Sequence, residues 1–409
     1  MFGSYPAWAL CTGRDAISYT YGWAWQGAET APNIVLLNTA LEAENYLYLF
    51  DRSLELGNDT VAIHAEAVGK AMRTEKDMIS EAAMSGYRLV RKTDKMYIFH
   101  VDTPPEFGVI TDYEGIAIGA FADTVPLYFP SFSMGVSDAL DDYDIGDFDG
   151  YETVFLSGFT YRDQAAAEDL VRILAARGTR IVIDVTHVPF DPVTQRMNFL
   201  GVSVSGVSFV NHFPDMYYGD SKVLAGSFSP EYDTWNTQYL VQVEHVTGYA
   251  DYSQERLVWA GYNDDPNIVF LGFNLMFHAI DTRDQEVFRL LSSLLDVPYQ
   301  KLPSRELVPL DIEHSPAGMR IRSAYDGVNT TLAWQDIFEA SYELGNQSNL
   351  MVVRQGVTDI RFRYPLGPQG MRLSIAGVLA SLMVLFAEGR RRRAYKNAAL
   401  SGNSGSDLR

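Results

Sequence analysis

The chain has 409 residues, a formal net charge of -20 at neutral pH, 47% hydrophobic residues and 21% charged residues. This composition is typical of a folded protein with room for two or three domains, and it excludes a disordered chain. The acidity argues against a nucleic-acid partner, because the phosphates would be repelled. With Cys11 as its one cysteine, the chain can form neither an intramolecular disulfide nor a cysteine-based zinc site.

Residues 1–32 form an aromatic-rich segment without regular periodicity. Trp8, Tyr19, Tyr21, Trp23 and Trp25 predict either a sugar-stacking platform or a packed cluster. Packing is favoured, because Trp23 and Trp25 have strand spacing. The first fourteen residues lack the basic region and the apolar run of a signal peptide.

Residues 33–297 alternate short apolar runs with amphipathic stretches, which predicts an α/β domain. Strands are predicted at 33–37, 60–64, 97–101 and 109–118, and a helix at 71–84. The clearest unit has a strand at 153–156, a helix that begins at Thr160 and ends at Arg177-Gly178, and a strand at 179–185. A second strand at 267–274 precedes a helix at 284–295. Continuous apolar strands joined by helices are typical of parallel βαβ units, so we expect a mostly parallel sheet with flanking helices.

Residues 298–366 predict a small all-β domain, which we expect to be a sandwich. Alternating segments separated by Gly and Asn occur at 308–312, 319–323, 330–334, 350–354 and 359–362.

Residues 371–389 predict one transmembrane helix. Leu373–Ala387 is uncharged and apolar on every helical face, and the basic run Arg390–Arg393 follows it. A span needs roughly 20 residues, so Arg372 and Glu388 would extend toward the headgroups. The alternative is a buried core helix. The positive-inside rule predicts a cytoplasmic tail at 390–409 and an extracytoplasmic bulk, held by the lipid bilayer.

A cluster of polar residues is predicted at the carboxyl ends of the central strands, where open α/β sheets bind ligands. The candidate ligand-binding residues are Ser157, Gly158, Asp184, Thr186, His187 and Asp191. Two interpretations stay open: a ligand, metal or acid/base cluster, or a loop in which Asp184 and His187 bond to nearby backbone. If instead Phe159, Tyr161 and Phe190 fill this edge of the sheet, no binding site is formed and the domain is purely structural.

No metal or cofactor is predicted. The acidic segment Asp138–Glu152 has seven carboxylates, but with Asp142 as loop position one, Gly146 lies at the fifth position rather than the sixth, so the EF-hand template fails. A solvated acidic linker is favoured over a calcium site. No two of the seven histidines lie within ten residues of each other, so a three-histidine zinc site has no sequence support.

Several short strings occur in an order that resembles a known family. They are Trp23–Ala28, Phe155–Phe159, Ile183–Val185, Asn267–Leu275, Val328–Thr330 and Tyr364-Pro365. Together they resemble the C-terminal extracytoplasmic region of the bacterial 6-pyruvoyl-tetrahydropterin-synthase-related membrane proteins. In that family a polytopic, glycosyltransferase-like part precedes a region similar to class I glutamine amidotransferases.

The resemblance implies a pseudo-amidotransferase module. Amidotransferases need a cysteine nucleophile at a strand-to-helix turn, whereas the strand at 179–185 leads to Thr186-His187 without a cysteine. We therefore expect a non-catalytic module of a membrane glycosyltransferase-like protein, which binds an envelope glycan or a partner protein. The polytopic half would be missing from this chain or encoded separately. The alternative is an enzyme that uses carboxylates such as Asp184 and Asp191 on a cell-envelope glycan.

Overall fold

The computed structural model describes residues 31–70, 73–189, 198–315, 318–363 and 367–402. Cys11, Phe190, Asp191, most of the aromatic-rich segment and the end of the polar tail lie outside these residues. The described residues divide into two compact units. The first continues up to Ile312 and includes Ile321–Trp334 and Leu344–Thr358, and the second includes Glu313–Arg320, Gln335–Glu343 and the residues from Asp359 onward.

The first described elements of the first unit are three helices and a small antiparallel sheet. The helices are α1 (Ala31–Glu42), α2 (Tyr46–Glu55) and α3 (Glu75–Met84). Strands β1 (Thr60–His64), β2 (Arg88–Lys92) and β3 (Met96–His100) pair in the order β1-β3-β2. Phe50 of α2 packs against Tyr87 and Phe99, which joins the helices to this sheet.

An eleven-stranded mixed sheet forms the centre of the first unit. Its parallel part has the order β15-β8-β7-β5-β6. These strands are β5 (Gly115–Ile118), β6 (Phe132–Met134), β7 (Thr153–Ser157), β8 (Arg180–Asp184) and β15 (Ile268–Leu271). Its antiparallel part consists of β9 (Ser203–Val210), β10 (Asp215–Tyr218), β11 (Ser221–Val223), β12 (Thr234–Gln242), β13 (His245–Tyr252) and β14 (Glu255–Tyr262).

Three helices belong to the parallel part: α4 (Gln164–Ala176), α5 (Leu275–Thr282) and α6 (Gln285–Leu295). Alternate residues of each parallel strand point to opposite faces, because the side-chain period of a strand is two. Ile181 and Ile183 pack in one cluster with Val171 and Leu174 of α4. Val182 belongs to the other cluster, which contains Val287, Leu291 and Leu294 of α6.

The prediction of a mostly parallel, amidotransferase-like sheet is wrong. Four strand pairs are parallel, and the other pairs with a described register are antiparallel. The cause lies in residues 203–262, where tight turns join consecutive strands. Ser253 and Gln254, both at positive φ, connect β13 to β14, and a two-residue turn of this kind can join only antiparallel neighbours.

Individual elements differ in how well the sequence predicted them. The strand–helix–strand unit β7-α4-β8 is confirmed, although Asp163 rather than Thr160 caps the helix. The strand predicted at 33–37 is wrong, because these residues lie in α1. The predicted strand at 109–118 is two strands in different sheets, separated at Tyr113-Glu114.

Further strands of the first unit pair in the order β16-β4-β18-β21-β20. Their bounds are β4 (Phe107–Asp112), β16 (Ser304–Ser315), β18 (Val328–Ala333), β20 (Gly345–Gln347) and β21 (Leu350–Val353). The last three residues of β16, 313–315, belong to the second unit. β4 pairs antiparallel with both β16 and β18, so this sheet contains strands from both sides of residue 298.

A buried ionic cluster lies between α2, Tyr113 and β16. Arg305 donates to both carboxylate oxygens of Asp51, at 2.9 and 2.7 Å. The Glu55 carboxylate accepts from the Tyr113 hydroxyl at 2.7 Å and lies 3.1 Å from Arg305 Nη1. Arg52 pairs with Glu55 and donates to Asn33 Oδ1 at 2.7 Å. Because the arginines surround Glu55, the pKa of its carboxyl falls to about 2 despite complete burial.

The second unit contains β19 (Phe338–Glu339), which pairs with β22 (Gly356–Phe362). β17 (Gly318–Ser323) lies beside β22. Residues 318–320 of β17 and 359–362 of β22 belong to the second unit, and the other residues of both strands belong to the first. Helix α7 (Gly367–Gly402) follows. Its segment Gln369–Arg393 is long and apolar enough to cross a bilayer, and none of the side chains in its apolar stretch is buried. The chain therefore has a single C-terminal helix, among the described residues, that fits a single-pass membrane anchor.

Candidate functional site

The parallel strands of the central sheet end at one edge, and each of four strands is followed by left-handed backbone. Gly119 follows β5 at φ 114°, and Gly158 follows β7 at φ 69°. His187 at φ 68° follows β8, and Phe273 and Asn274 at φ 65° and 52° follow β15. Non-glycine residues at positive φ are uncommon, and such strained positions concentrate at functional sites.

The two glycines allow the chain segments at this edge to approach closely. A Cβ atom on Gly119 would lie 2.3 Å from the carbonyl oxygen of Ser157, and a Cβ atom on Gly158 would lie 2.2 Å from the ring of Phe121. The backbone N–H of Phe121 donates to the Ser157 carbonyl at 3.1 Å. The loop after β5 is therefore held against the end of β7, and Phe121 is placed over this edge.

Asp184 lies at the centre of the edge. It is the last residue of β8, pairs in register with Ser157 of β7 and Leu271 of β15, and is fully buried. Its Oδ1 accepts a hydrogen bond of 2.9 Å from the backbone N–H of Thr186, whereas Oδ2 has no hydrogen-bond partner. Burial raises the pKa of this carboxyl to about 7, and the bond from Thr186 opposes the shift.

A cavity of about 250 Å³ opens beside Asp184. Ser157, Asp184 and His187 line it together, as the sequence predicted for one edge of the sheet. The cavity also contacts Phe121, Asp123 and Thr124 of the loop after β5, and Asn274, Met276, Phe277 and Ile280 at the start of α5. None of its described lining residues is Lys or Arg.

The rim of the cavity combines exposed aromatic rings with a second carboxyl group. Phe121 and Phe277 are 52% and 43% exposed, which is high for side chains of this size. The imidazole of His187 stacks on the Phe121 ring, with 4.1 Å between the ring centroids. Asp123 lies at the rim, where the surrounding protein atoms and the charge of Asp138 raise the pKa of its carboxyl.

The remaining predicted residues lie beside the cavity or outside the described residues. Gly158, Thr186 and His187 line an adjacent groove of about 760 Å³, and Asp191 is not described. Phe159 and Tyr161 do not seal the edge next to Asp184: they pack on Phe199, with ring centroids 5.2 and 5.6 Å from it. Whether the six candidate residues bind a ligand stays a prediction.

Sequence reasoning missed Asp123, Phe121, Asn274 and Phe277. The signal for the first two was Gly119, because a glycine directly after the apolar strand β5 repeats the pattern of Gly158 after β7. No sequence signal placed Phe277 here, since its position depends on how α5 leaves β15.

Two further sequence predictions concern the acidic segment and possible metal-binding groups. The acidic segment Asp138–Glu152 forms short turns in which Asp144 caps the backbone N–H groups of Gly146 and Asp147. Leu140 and Phe148 of this segment are buried, so it packs on the sheet while several of its carboxylates stay exposed. Within the described part of the chain, no three His, Cys, Asp or Glu side chains are grouped so that they could hold a metal ion.

The comparisons with known proteins give two family matches without a known activity. Residues 114–278 match the "Domain of unknown function (DUF8560)", and residues 1–112 match the "Domain of unknown function (DUF8559)". The described residues of the cavity lie within the first match, except for Ile280. No curated protein was found to match the chain.

One solved structure with weak similarity is the alpha-L-fucosidase isoenzyme 2 from Paenibacillus thiaminolyticus. It is 10% identical, the match covers 78% of this chain and 57% of that chain, and the TM-score is 0.35. A similarity of this size does not establish a common fold.

Proposed function

We propose that this chain is a membrane-anchored binding module whose sheet-edge cavity holds one sugar residue of an envelope glycan. The observation that carries the proposal is the buried, unpaired Oδ2 of Asp184 at the base of a cavity flanked by exposed phenyl rings. An unpaired buried carboxylate oxygen costs free energy, so a hydroxyl donor from a ligand would recover it.

The chemistry of the lining favours a neutral, polyhydroxylated ligand. Carboxyl groups and the Asn274 side chain can bond sugar hydroxyls, and the rings of Phe121 and Phe277 offer flat apolar faces for a pyranose. Two carboxyl groups without a basic residue among the described lining would repel phosphates and other anions.

The anchor is α7, and we place the sheet unit on the extracytoplasmic side. The basic run Arg390–Arg393 at the end of the apolar segment supports a cytoplasmic tail. We also propose a polytopic membrane partner, as the family resemblance implies, because the one span among the described residues cannot by itself form a membrane-embedded transferase site. The proposal includes no amidotransferase-like fold, because the central sheet is mixed.

The test is saccharide binding by the full chain in detergent micelles. A panel of neutral monosaccharides (glucose, galactose, mannose, fucose and N-acetylglucosamine) would be titrated by calorimetry against the wild type, Asp184→Asn and Asp264→Asn. Asp184→Asn keeps an acceptor for Thr186 but places an amide N–H₂ where Oδ2 was. We expect it to weaken binding by about tenfold or more, which is about 1.5–3 kcal/mol for a bond to a charged group.

Asp264→Asn is the matched control, because Asp264 is an exposed loop residue outside the cavity and the substitution is the same. It should bind like the wild type. The proposal is refuted if none of the saccharides binds the wild type, or if both variants bind equally well.

A second candidate function is hydrolysis of a glycan by a pair of carboxyl groups. The observation in its favour is that Asp123 and Asp184 line one cavity and both have a raised pKa, as a proton donor requires. Asp123 then takes the role that was predicted for Asp191. Release of reducing ends from envelope polysaccharide by the wild type, lost in both Asp123→Asn and Asp184→Asn, would establish the enzyme over the binding module.

A further inference from the structure

The groove next to the cavity has buried polar atoms without partners. It is lined by Gly158, Thr160, Thr186 and His187 on one side, and by Gly206 of β9 and Asn236–Gln238 of β12 on the other. Thr186 and Thr237 are 8% and 6% exposed, and neither hydroxyl has a hydrogen-bond partner. Buried hydroxyls are normally satisfied, so these two need an explanation.

The groove lies next to the cavity beside Asp184. His187 lines both spaces, and its imidazole stacks on Phe121. Thr186, two residues after Asp184, lines the groove, whereas Asp184 lines the cavity. The loop after β8 therefore contributes to both spaces.

We infer that the groove binds the sugar residues that follow the one in the cavity, so that the ligand is the end of a linear oligosaccharide. The inference rests on the proposed function of the cavity. A terminal residue fits the small cavity of about 250 Å³, and the larger groove of about 760 Å³ has room for the next residues of the chain. Their hydroxyls would pair with Thr186 and Thr237, while the exposed Asn236 offers an amide at the groove's edge.

The experiment compares monosaccharides with their linear tetramers. Glucose, mannose and N-acetylglucosamine, with maltotetraose, mannotetraose and chitotetraose, would be titrated against the full chain in detergent micelles. The variants are Gly206→Trp, Thr237→Val and Asp184→Asn. A Cβ atom on Gly206 would lie no nearer than 3.9 Å to the atoms around it, so a substitution there causes no clash at Cβ, and a tryptophan is the largest side chain with which to fill the groove.

We expect the wild type to bind one of the tetramers about tenfold or more tightly than its monomer. Gly206→Trp should abolish that gain and leave monomer binding unchanged, and Thr237→Val should reduce the gain. Asp184→Asn should weaken the binding of both the monomer and the tetramer. Near-ultraviolet circular dichroism checks that each variant is folded.

The outcomes separate the two proposals. Equal binding of monomer and tetramer by the wild type, or a gain that persists in Gly206→Trp, overturns the inference about the groove and leaves the cavity proposal intact. Absence of binding by every monomer and tetramer overturns the proposed function, and the groove inference with it.

Discussion

Replacing Asp184 by asparagine is expected to change how the stability of the chain depends on pH. The carboxyl has an ordinary pKa of 3.8 and, when folded, a pKa of about 7. A difference of this size corresponds to about 4 kcal/mol of free energy of unfolding. Asp184 is fully buried, so exposure to solvent does not reduce the effect.

Whether stability rises or falls with pH depends on which state, folded or unfolded, holds the proton of Asp184. Below about pH 4 the carboxyl is protonated in both states, and the stability that depends on this proton is fully present. As the pH rises toward 7, the unfolded chain has lost the proton while the folded chain still holds it. Stability therefore falls over this range, and the loss is complete above the folded pKa. Asparagine does not titrate, so it removes this dependence.

The assay is chemical unfolding of the full chain in detergent, followed by tryptophan fluorescence, at a series of pH values between about 4 and 8. Trp235 and Trp259 are buried in the central sheet and report on its unfolding. Other carboxyl groups titrate equally in both proteins, so the difference between Asp184→Asn and the wild type isolates Asp184. We expect this difference to move by about 4 kcal/mol in favour of the variant as the pH rises. Two parallel curves would refute the reasoning.

Three further predictions concern the backbone at the site, the ionic cluster and the membrane topology. Gly119→Ala should lower stability by about 2–5 kcal/mol, because its Cβ would lie 2.3 Å from the Ser157 carbonyl oxygen. Gly178→Ala, also at positive φ but with open space around its Cβ, should cost less in the same unfolding assay. Glu55→Gln should cost about 3–5 kcal/mol, because it leaves the buried Arg52 without its carboxylate and Arg305 with Asp51 alone, whereas the exposed Glu286→Gln should change stability by about 1 kcal/mol or less. A phosphatase reporter that is active only outside the cytoplasm should be inactive when fused after Arg409, and activity there would refute the cytoplasmic tail.

The sequence predicted those elements in which local pattern and tertiary environment agree. The apolar run 153–156 is followed by an amphipathic helix and a second apolar run, which together predict a buried strand and its crossover, and β7-α4-β8 is present. The run at 33–37 is equally apolar but lies in α1, where Asn33, Leu36 and Ala40 are the buried positions. Short apolar runs do not distinguish a strand from a helix, because four or five residues are too few to show a period of two or of 3.6.

The candidate site was predictable only where it depends on the parallel strands. Ser157 and Asp184 end neighbouring strands of one βαβ unit, so their meeting follows from topology. Asp123 and Phe277 reach the cavity from loops whose direction is set by the left-handed residues Gly119, Phe273 and Asn274. The glycine after β5 is a local signal, but no local pattern encodes the direction of the chain after β15, since phenylalanine adopts positive φ only when the surrounding fold requires it.

The mixed sheet gives the groove a wall that a mostly parallel sheet would lack. Residues 236–238 of β12 and Gly206 of β9 belong to the antiparallel part, which enters the sheet through β14 beside β15. β15 has the antiparallel strand β14 on one side and the parallel strand β8 on the other. The hydroxyls of Thr186, in the loop after β8, and Thr237, on β12, therefore line one groove, and both lack a hydrogen-bond partner. An extended ligand at this junction could pair with both hydroxyls, so the part of the fold that the sequence did not predict is the part on which the oligosaccharide proposal depends.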